Sequence, residues 1–150
     1  MQPKSDRDTG SESLPVSSCY SLPVRVYYED TDAGAVVYYA NYLKFCERAR
    51  TEWLRALGIG QQVMLAEQQL GFVVRSVQAD YLAPARLDDA LEVRTRIATL
   101  RRASLVFDHE IHRDNELLFS ARVLVASVDM RRLRPAALPA SLHALLESQA

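Results

Sequence analysis

An amphipathic segment in the first half of the chain constrains its fold more than any other feature. Apolar residues recur there at three- and four-residue steps, and these positions are Tyr42, Phe45, Cys46, Ala49, Trp53, Ala56 and Leu57. Charged and polar residues fill the positions between them. The spacing predicts a helix of about four turns with one buried face. Asn41 is its predicted N-cap, and Gly58 is predicted to end it in a C′ position.

Strand-like patterns lie on both sides of this helix. Alternation over residues 24–29 predicts a strand before it, and a weaker helical stretch covers residues 61–69. Four further strand-like runs follow, at 71–82, 90–101, 103–113 and 117–129. The last run is apolar on both faces, which is typical of a central strand.

The element order predicts a strand, a long helix and then a four-stranded antiparallel meander. A strongly apolar helix beside five strands is best buried if the sheet curls around it. We therefore expect an α+β hotdog fold, with a five-stranded antiparallel sheet wrapped around one central helix. Residues 21–150 form the predicted domain, and apolar residues on the outer sheet face favour self-association. Residues 1–20 are rich in Ser, Asp, Pro and Lys, a composition typical of a disordered tail.

The composition argues against several classes of partner. The formal net charge of the 150 residues is −1, so no overall field attracts nucleic acid. No stretch approaches the roughly 20 apolar residues of a membrane-spanning helix, and the N-terminus lacks the apolar region of a signal peptide. Cys19 and Cys46 form no disulfide framework and are compatible with a reducing compartment. These features predict a cytoplasmic protein without stable membrane insertion.

An acidic segment, residues 28–34, holds three carboxylates shortly before the long helix, namely Glu29, Asp30 and Asp32. It has two interpretations: a solvated acidic turn, or a carboxylate that works beside the helix N-terminus. Asp32 lies about nine residues before Asn41, too far to be a simple N-cap. Unpaired N–H groups at a helix start can bind negative charge that develops on an oxygen, as acyl transfer requires. A carboxylate with such an oxyanion site is a minimal hydrolase.

Other kinds of chemistry find less support in the sequence. The chain has no Gly-x-Ser-x-Gly elbow, no phosphate-binding loop and no Gly-x-Gly-x-x-Gly motif. His109 and His112 point to opposite faces of a predicted strand, so we expect no shared metal ion and only structural or surface roles. Arginines near two turns, among them Arg101, Arg102 and Arg134, are either solvated surface residues or anchors for the phosphates of a carrier.

Residues 27–54 contain the motif that is most specific. Asp30-x-Asp32-x-Gly34 is followed by Tyr38-x-x-Asn41-Tyr42, and this spacing resembles the acyl-CoA thioesterases associated with the bacterial Tol–Pal system. That group belongs to the 4-hydroxybenzoyl-CoA thioesterase family. The similarity runs from about Leu22 to Leu146.

The resemblance implies a hotdog fold, homodimers or homotetramers, and active sites between paired subunits. It implies that Asp32 is the catalytic carboxylate, as a nucleophile or as a general base. The backbone N–H near Tyr39 would polarise the thioester carbonyl, and no metal or cofactor is needed. The implied substrate is an acyl-CoA, with acyl carrier protein as an alternative carrier.

The sequence departs from the usual pattern of the Tol–Pal group at two positions. Tyr39 stands where that group usually has histidine, and Ala35 where it usually has a second glycine. A phenol is a poor substitute for imidazole in proton transfer near neutral pH, although a backbone role would survive the change. Tyr39 therefore supports a competing hypothesis, in which the chain is a non-catalytic hotdog scaffold that binds an acyl carrier or a protein of lipid metabolism. A dehydratase or hydratase is a third hypothesis, weakened by the lack of histidine between Asp32 and Tyr39.

Overall fold

A computed structural model describes residues 19–150 of the chain. Its strands are β1 (Tyr20–Arg25), β2 (Leu70–Tyr81), β3 (Ala90–Leu100), β4 (Ser104–Arg113), β5 (Glu116–Asp129) and β6 (Arg134–Pro135). Its α-helices are α1 (Asn41–Ala56), α2 (Gln61–Gln68) and α3 (Ala140–Glu147), and a 3₁₀ helix covers Tyr28–Asp30. The predicted tail, residues 1–20, lies outside the described residues apart from Cys19 and Tyr20. None of the described helices is long and apolar enough to span a membrane.

All strand pairs are antiparallel, and the sheet has the order β1-β3-β4-β5-β2, with β6 paired to β5. The α+β hotdog architecture is confirmed, with the two-residue β6 as an addition to the five predicted strands. The predicted meander is wrong at one point, because β2 pairs with β5 and not with β3. In a meander β5 would be an edge strand. With β2 and β4 on either side, its apolar residues are buried instead.

The sheet curls around α1, which buries the apolar face that the sequence predicts. Trp53 stacks on Tyr20 of β1 with ring centroids 5.9 Å apart, and Tyr42 stacks on Phe119 of β5 at 5.1 Å. Phe45, between these two contacts, is fully buried. Its truncation to alanine would cost about 3–5 kcal/mol, the usual range for a core phenylalanine. Gly58 follows the helix with φ +85°, which confirms the predicted C′ glycine.

The first strand ends earlier than its pattern predicts. β1 pairs with β3 over Tyr20–Arg25, whereas the prediction covered residues 24–29. The carboxylate of Asp30 accepts a hydrogen bond from the backbone N–H of Tyr27 at 2.8 Å. The N–H of Asp30 in turn donates to the carbonyl of Tyr27 at 2.9 Å. These local bonds replace the strand ladder with a 3₁₀ turn.

The start of α1 also differs from the prediction. Ala40 is the N-cap and Asn41 is the first helical residue, so the choice of Asn41 as N-cap is wrong. At the other end of the chain, β6 and α3 were not predicted. α3 is short and adds Leu142 and Leu146 to the core.

The edge strand β2 leaves one side of the sheet open. Among residues 19–150 it pairs only with β5. Several of its apolar side chains are 40–47% exposed, namely Val73, Val74, Val77 and Tyr81. An exposed apolar edge is a site for pairing with another chain.

Candidate active site

The acidic turn before α1 divides its carboxylates between two roles. Asp30 is buried, and its carboxylate closes the 3₁₀ turn by accepting the Tyr27 N–H. Asp32 is exposed, and only one of its two carboxylate oxygens takes part in a turn. The interpretation as a structural turn residue therefore fits Asp30, whereas Asp32 is available for chemistry.

A tight turn holds Asp32 in place. Its Oδ1 accepts a hydrogen bond from the N–H of Gly34 at 2.8 Å, and its own N–H donates to the carbonyl of Val36 at 2.9 Å. The N–H of Ala35 donates to the carbonyl of Asp32 at 3.0 Å, with Ala35 at φ +60°. The second carboxylate oxygen, Oδ2, has no hydrogen-bond donor among residues 19–150. One oxygen thus orients the carboxylate and the other can face a substrate or a water molecule.

The turn is bonded directly to the start of α1. The carbonyl of Asp30 accepts two hydrogen bonds, from the N–H of Tyr38 at 3.0 Å and from Nδ2 of Asn41 at 2.8 Å. Asn41 is buried. The turn that carries Asp32 and the N-terminus of α1 are therefore parts of one hydrogen-bonded unit.

The helix start offers free hydrogen-bond donors. In the part of the chain that the structure describes, the backbone N–H groups of Tyr39 and Ala40 have no acceptor. The first turn of α1 carries no acidic side chain that could occupy its positive end. Free N–H groups and the helix dipole together favour a negative charge on an oxygen at this point.

The side chain of Tyr39 is 61% exposed and borders an open apolar depression. The depression has a volume of about 340 Å³. Its lining residues are Val37, Tyr39, Tyr42, Tyr81, Leu82, Ala83 and Pro84. An apolar group attached to a carbonyl at the helix start could lie here.

The predicted phosphate anchors lie far from Asp32 in the same chain. Arg101 and Arg102 occupy the β3–β4 turn, and Arg134 lies in β6 beside the end of β5; all three are exposed. The Asp32 turn instead pairs near the start of β3, through the bridge between Val36 and Arg86. The eleven residues of β3 separate the two ends of the sheet by about 30 Å. One chain does not bring the arginines and Asp32 together.

The two histidines of the H-x-x-H pattern have separate partners. His109 contacts Arg50 of α1 through Nε2 at 2.9 Å and Thr95 of β3 through Nδ1 at 2.8 Å. His112 contacts the carboxylate of Glu110 at 2.9 Å. Both rings are buried, so a surface role is excluded, and no group of three possible metal ligands occurs in residues 19–150. Burial raises the pKa of Cys46 to about 12, which makes that thiol a poor nucleophile.

Sequence reasoning missed two residues of the site. Asn41 was interpreted from its type and position as a cap, although its side chain reaches back to the acidic turn. Tyr81 was part of a strand pattern, and its hydroxyl donates to the carbonyl of Tyr39 at 2.8 Å. Nothing in the sequence signals a contact between residues 42 positions apart.

Comparison with known proteins agrees with this geometry. Residues 26–146 match the thioesterase-like superfamily. The chain is 50% identical over 125 residues to the acyl-CoA thioesterase YbgC of Haemophilus influenzae, covering 83% of this chain and 92% of that protein. It is 52% identical over 129 residues to the acyl-CoA thioester hydrolase YbgC of Escherichia coli, covering 85% and 96%.

A solved structure shows the same fold. The probable thioesterase from Bartonella henselae superposes with a TM-score of 0.77 at 34% sequence identity, covering 81% of this chain and 99% of that one. The family match over residues 26–146 contains the Asp32 turn, α1 and every strand of the sheet except β1. This chain therefore belongs to the thioesterase-like superfamily and has its hotdog fold.

Proposed function

We propose that this chain hydrolyses acyl-CoA thioesters to a free acid and coenzyme A, with Asp32 as the working carboxylate. One observation carries the proposal: the exposed Asp32 lies on a turn bonded to the start of α1, where backbone N–H groups are free. A base or nucleophile beside an oxyanion site is the minimum that thioester hydrolysis needs. The activities named for the Haemophilus influenzae and Escherichia coli relatives support the same reaction.

In the proposed reaction, the thioester oxygen accepts hydrogen bonds from the N–H groups of Tyr39 and Ala40. As a general base, Asp32 takes a proton from water; the hydroxide adds to the carbonyl carbon, the C–S bond breaks, and the leaving thiolate takes up that proton. As a nucleophile, Asp32 itself expels the thiolate, and water then hydrolyses the mixed anhydride to restore the carboxylate. Both routes pass through an oxyanion, so both use the same donors. Neither needs a side-chain proton donor at Tyr39.

The apolar depression beside Tyr39 is the proposed site of the acyl group near the thioester. Its walls come from the end of β2 and the segment after it, with Tyr81 and Leu82 exposed on one side. Exposed apolar walls favour burial of an acyl chain over a polar substituent. The depression is open, and a second protein surface would be needed to close it.

A second copy of the chain is the proposed closing surface. Pairing of two β2 edges around a two-fold axis would be antiparallel, so Leu70 of one strand would lie opposite Tyr81 of the other. β5 ends beside the start of β2, and Arg134 pairs with Asp129 there. The arginines of one copy would then lie at the Tyr39 end of its partner. Arg101, Arg102 and Arg134 are accordingly proposed to hold the phosphates of a coenzyme A whose thioester lies at Asp32 of the other copy.

The proposal includes a homodimer as the smallest active unit, and a homotetramer if two such dimers associate. Acyl carrier protein is the alternative carrier, because its prosthetic group presents the same thioester. The proposed location is the cytoplasm, where the thiols of Cys19 and Cys46 would remain reduced.

A non-catalytic scaffold is the competing function, and Tyr39 is the feature that favours it. A scaffold would bind the carrier without turnover, and Asp32→Asn would leave that affinity unchanged. The free N–H groups at the helix start favour the enzyme, since a binding surface has no need of donors aimed at an oxyanion.

The test is release of free thiol from a panel of short, long and aromatic acyl-CoAs, by wild type and by Asp32→Asn. We expect turnover of at least one class by the wild type and a loss of at least about 100-fold in the variant. Asp114→Asn is the matched control, because Asp114 is an exposed carboxylate between β4 and β5, outside both the Asp32 turn and the β2 edge. Wild-type binding without turnover of any substrate would favour the scaffold instead.

A further inference from the structure

Tyr81, the last residue of β2, contacts the helix start from across the apolar depression. Its hydroxyl donates a hydrogen bond to the carbonyl oxygen of Tyr39 at 2.8 Å. Three aromatic rings surround its own ring edge-on, with centroid distances of 5.0 Å to Phe119, 5.5 Å to Tyr42 and 6.3 Å to Tyr39. The ring is therefore held by packing, and its hydroxyl reaches a fixed point.

That carbonyl belongs to the same peptide unit as the N–H of Ala40. The unit is planar, and the described chain contains no cis peptide bond, so the C=O and the N–H point in opposite directions. A hydrogen bond that fixes the direction of the Tyr39 carbonyl therefore also fixes the direction of the Ala40 N–H. The Tyr81 hydroxyl and the free Ala40 N–H therefore lie at opposite edges of the same peptide plane.

The same hydrogen bond changes the strength of the donor. A hydrogen bond accepted by an amide oxygen draws electron density toward that oxygen and makes the N–H of the unit a better donor. Burial raises the pKa of the Tyr81 phenol above its ordinary value, so the hydroxyl keeps its proton at neutral pH. Tyr81 is thus a permanent donor to this peptide.

We infer that Tyr81 is a positioning residue for thioester hydrolysis, which aims and strengthens the Ala40 N–H that stabilises the oxyanion. This inference rests on the proposed function. It adds to that function the side chain of Tyr81 from the edge strand β2. In the proposed reaction this side chain contacts neither the thioester nor Asp32, and it acts through the Tyr39–Ala40 peptide.

The first test is Tyr81→Phe, which keeps the ring and removes only the hydroxyl. We expect the rate of the chemical step in a single turnover to fall about tenfold, less than for loss of a whole oxyanion donor. KM and the unfolding midpoint should stay close to wild type, because the aromatic contacts remain. Tyr28→Phe is the matched control, since Tyr28 is 83% exposed and its hydroxyl has no partner among residues 19–150.

Replacement of Tyr81 by 3-fluorotyrosine strengthens the hydrogen bond to the Tyr39 carbonyl, whereas Tyr81→Phe removes it. Fluorine makes the phenol a stronger donor without removing it, so the chemical step should be at least as fast as in the wild type at a pH below the phenol pKa. A slower step in both variants would indicate a packing role and overturn the inference.

Infrared spectroscopy can report on the thioester carbonyl of a bound substrate. With Asp32→Asn to slow turnover, the stretching frequency of a ¹³C-labelled thioester carbonyl should shift down on binding, and this shift should shrink when Tyr81→Phe is added. An unchanged shift together with an unchanged single-turnover rate would overturn the inference. Full turnover by Asp32→Asn would refute the proposed role of Asp32. The single-turnover rates of the Tyr81 variants would still show whether Tyr81 positions the Ala40 N–H.

Discussion

Asn41 donates a hydrogen bond from Nδ2 to the backbone carbonyl of Asp30 at 2.8 Å, and so ties the first residue of α1 to the acidic turn. The same carbonyl accepts the N–H of Tyr38 at 3.0 Å. The side chain of Asn41 and the backbone N–H of Tyr38 thus donate to the same oxygen atom of Asp30. These two bonds connect the turn that carries Asp32 to the helix start that carries the free N–H groups.

Asn41→Ala is expected to lower kcat by about 10- to 100-fold, because a shift of about 1 Å in a reacting group can cost that much. Unfolding free energy should fall by only about 1–2 kcal/mol, since Tyr38 still satisfies the Asp30 carbonyl. Steady-state kinetics and urea unfolding measure the two effects. Gln61→Ala is the control, because it removes a weaker 3.3 Å bond at the other end of α1 and should leave kcat unchanged. Equal kcat values for Asn41→Ala and wild type would show that the hydrogen bond from Asn41 to Asp30 does not position Asp32.

Ala35→Gly is expected to stabilise the protein by about 0.5–1 kcal/mol. Ala35 has φ +60°, a left-handed conformation that is unfavourable for alanine and open to glycine. The extra chain entropy of glycine in the unfolded state offsets part of the gain. Ala33→Gly is the control in the same turn, since Ala33 is not among the residues with positive φ and should lose stability. Urea unfolding that shows the same destabilisation for both variants would contradict the conformational argument.

The helix α1, the strands and the acidic turn differ in how far they could be predicted from the sequence. The period of α1 and the alternation of the strands follow from burial of one face, so local sequence was enough for both. The motif at residues 30–42 identified Asp32 as the candidate carboxylate, and its catalytic role stays a prediction. The role of Asn41 was not predictable from its type, because a cap and a tie to the turn both suit a short polar side chain at a helix start.

The remaining errors concern contacts between distant parts of the chain. The position of β2 beside β5 depends on how the whole sheet closes around α1, and alternation within β2 carries no information about its neighbour. The bond from Tyr81 to Tyr39 depends on that same placement. The sequence also could not show that the three arginines lie at the opposite end of the sheet from Asp32 of the same chain, so their role as phosphate anchors stays a prediction that requires a second copy.

A third prediction concerns His109 and the pH dependence of stability. The Nε2 atom of His109 must accept the hydrogen bond from Arg50, since a guanidinium only donates; the ring is then neutral, with its proton on Nδ1 toward Thr95. Burial, and next the charge of Arg50, hold the pKa of His109 well below its ordinary value. Unfolding lets the ring bind a proton, so stability is lost as pH falls below about 6.5.

His109→Gln removes this titration and keeps an acceptor and a donor on the side chain. The variant should be less stable at pH 7.5, but its unfolding free energy should fall less between pH 7 and pH 5. The wild-type slope from this one group approaches about 1.4 kcal/mol per pH unit below pH 6. Urea unfolding across this range measures both slopes, and the other histidines cancel because both proteins contain them. Parallel curves would mean that His109 has the same pKa in the folded and unfolded states, which would contradict this prediction.

The last prediction asks whether Asp32 and the arginines of one active site come from different copies. One chain carries Asp32→Asn, and the other carries Arg101→Ala, Arg102→Ala and Arg134→Ala together. The first homodimer should lose kcat, and the second should show a KM raised by about tenfold or more, since each lost charged contact to a phosphate is worth about 1.5–3 kcal/mol. The three arginines are exposed, so their truncation should cost little stability.

The informative species is the heterodimer, purified through two different affinity tags after co-expression. If each site takes Asp32 from one copy and its arginines from the other, the heterodimer contains one fully intact site and one that carries both defects. It should then show about half the wild-type kcat per dimer at the wild-type KM. If each site is built from a single chain, no site is intact, and the heterodimer should retain only the raised KM of the arginine variant. The shape of the substrate saturation curve separates the two arrangements, because only the first produces a component with wild-type KM.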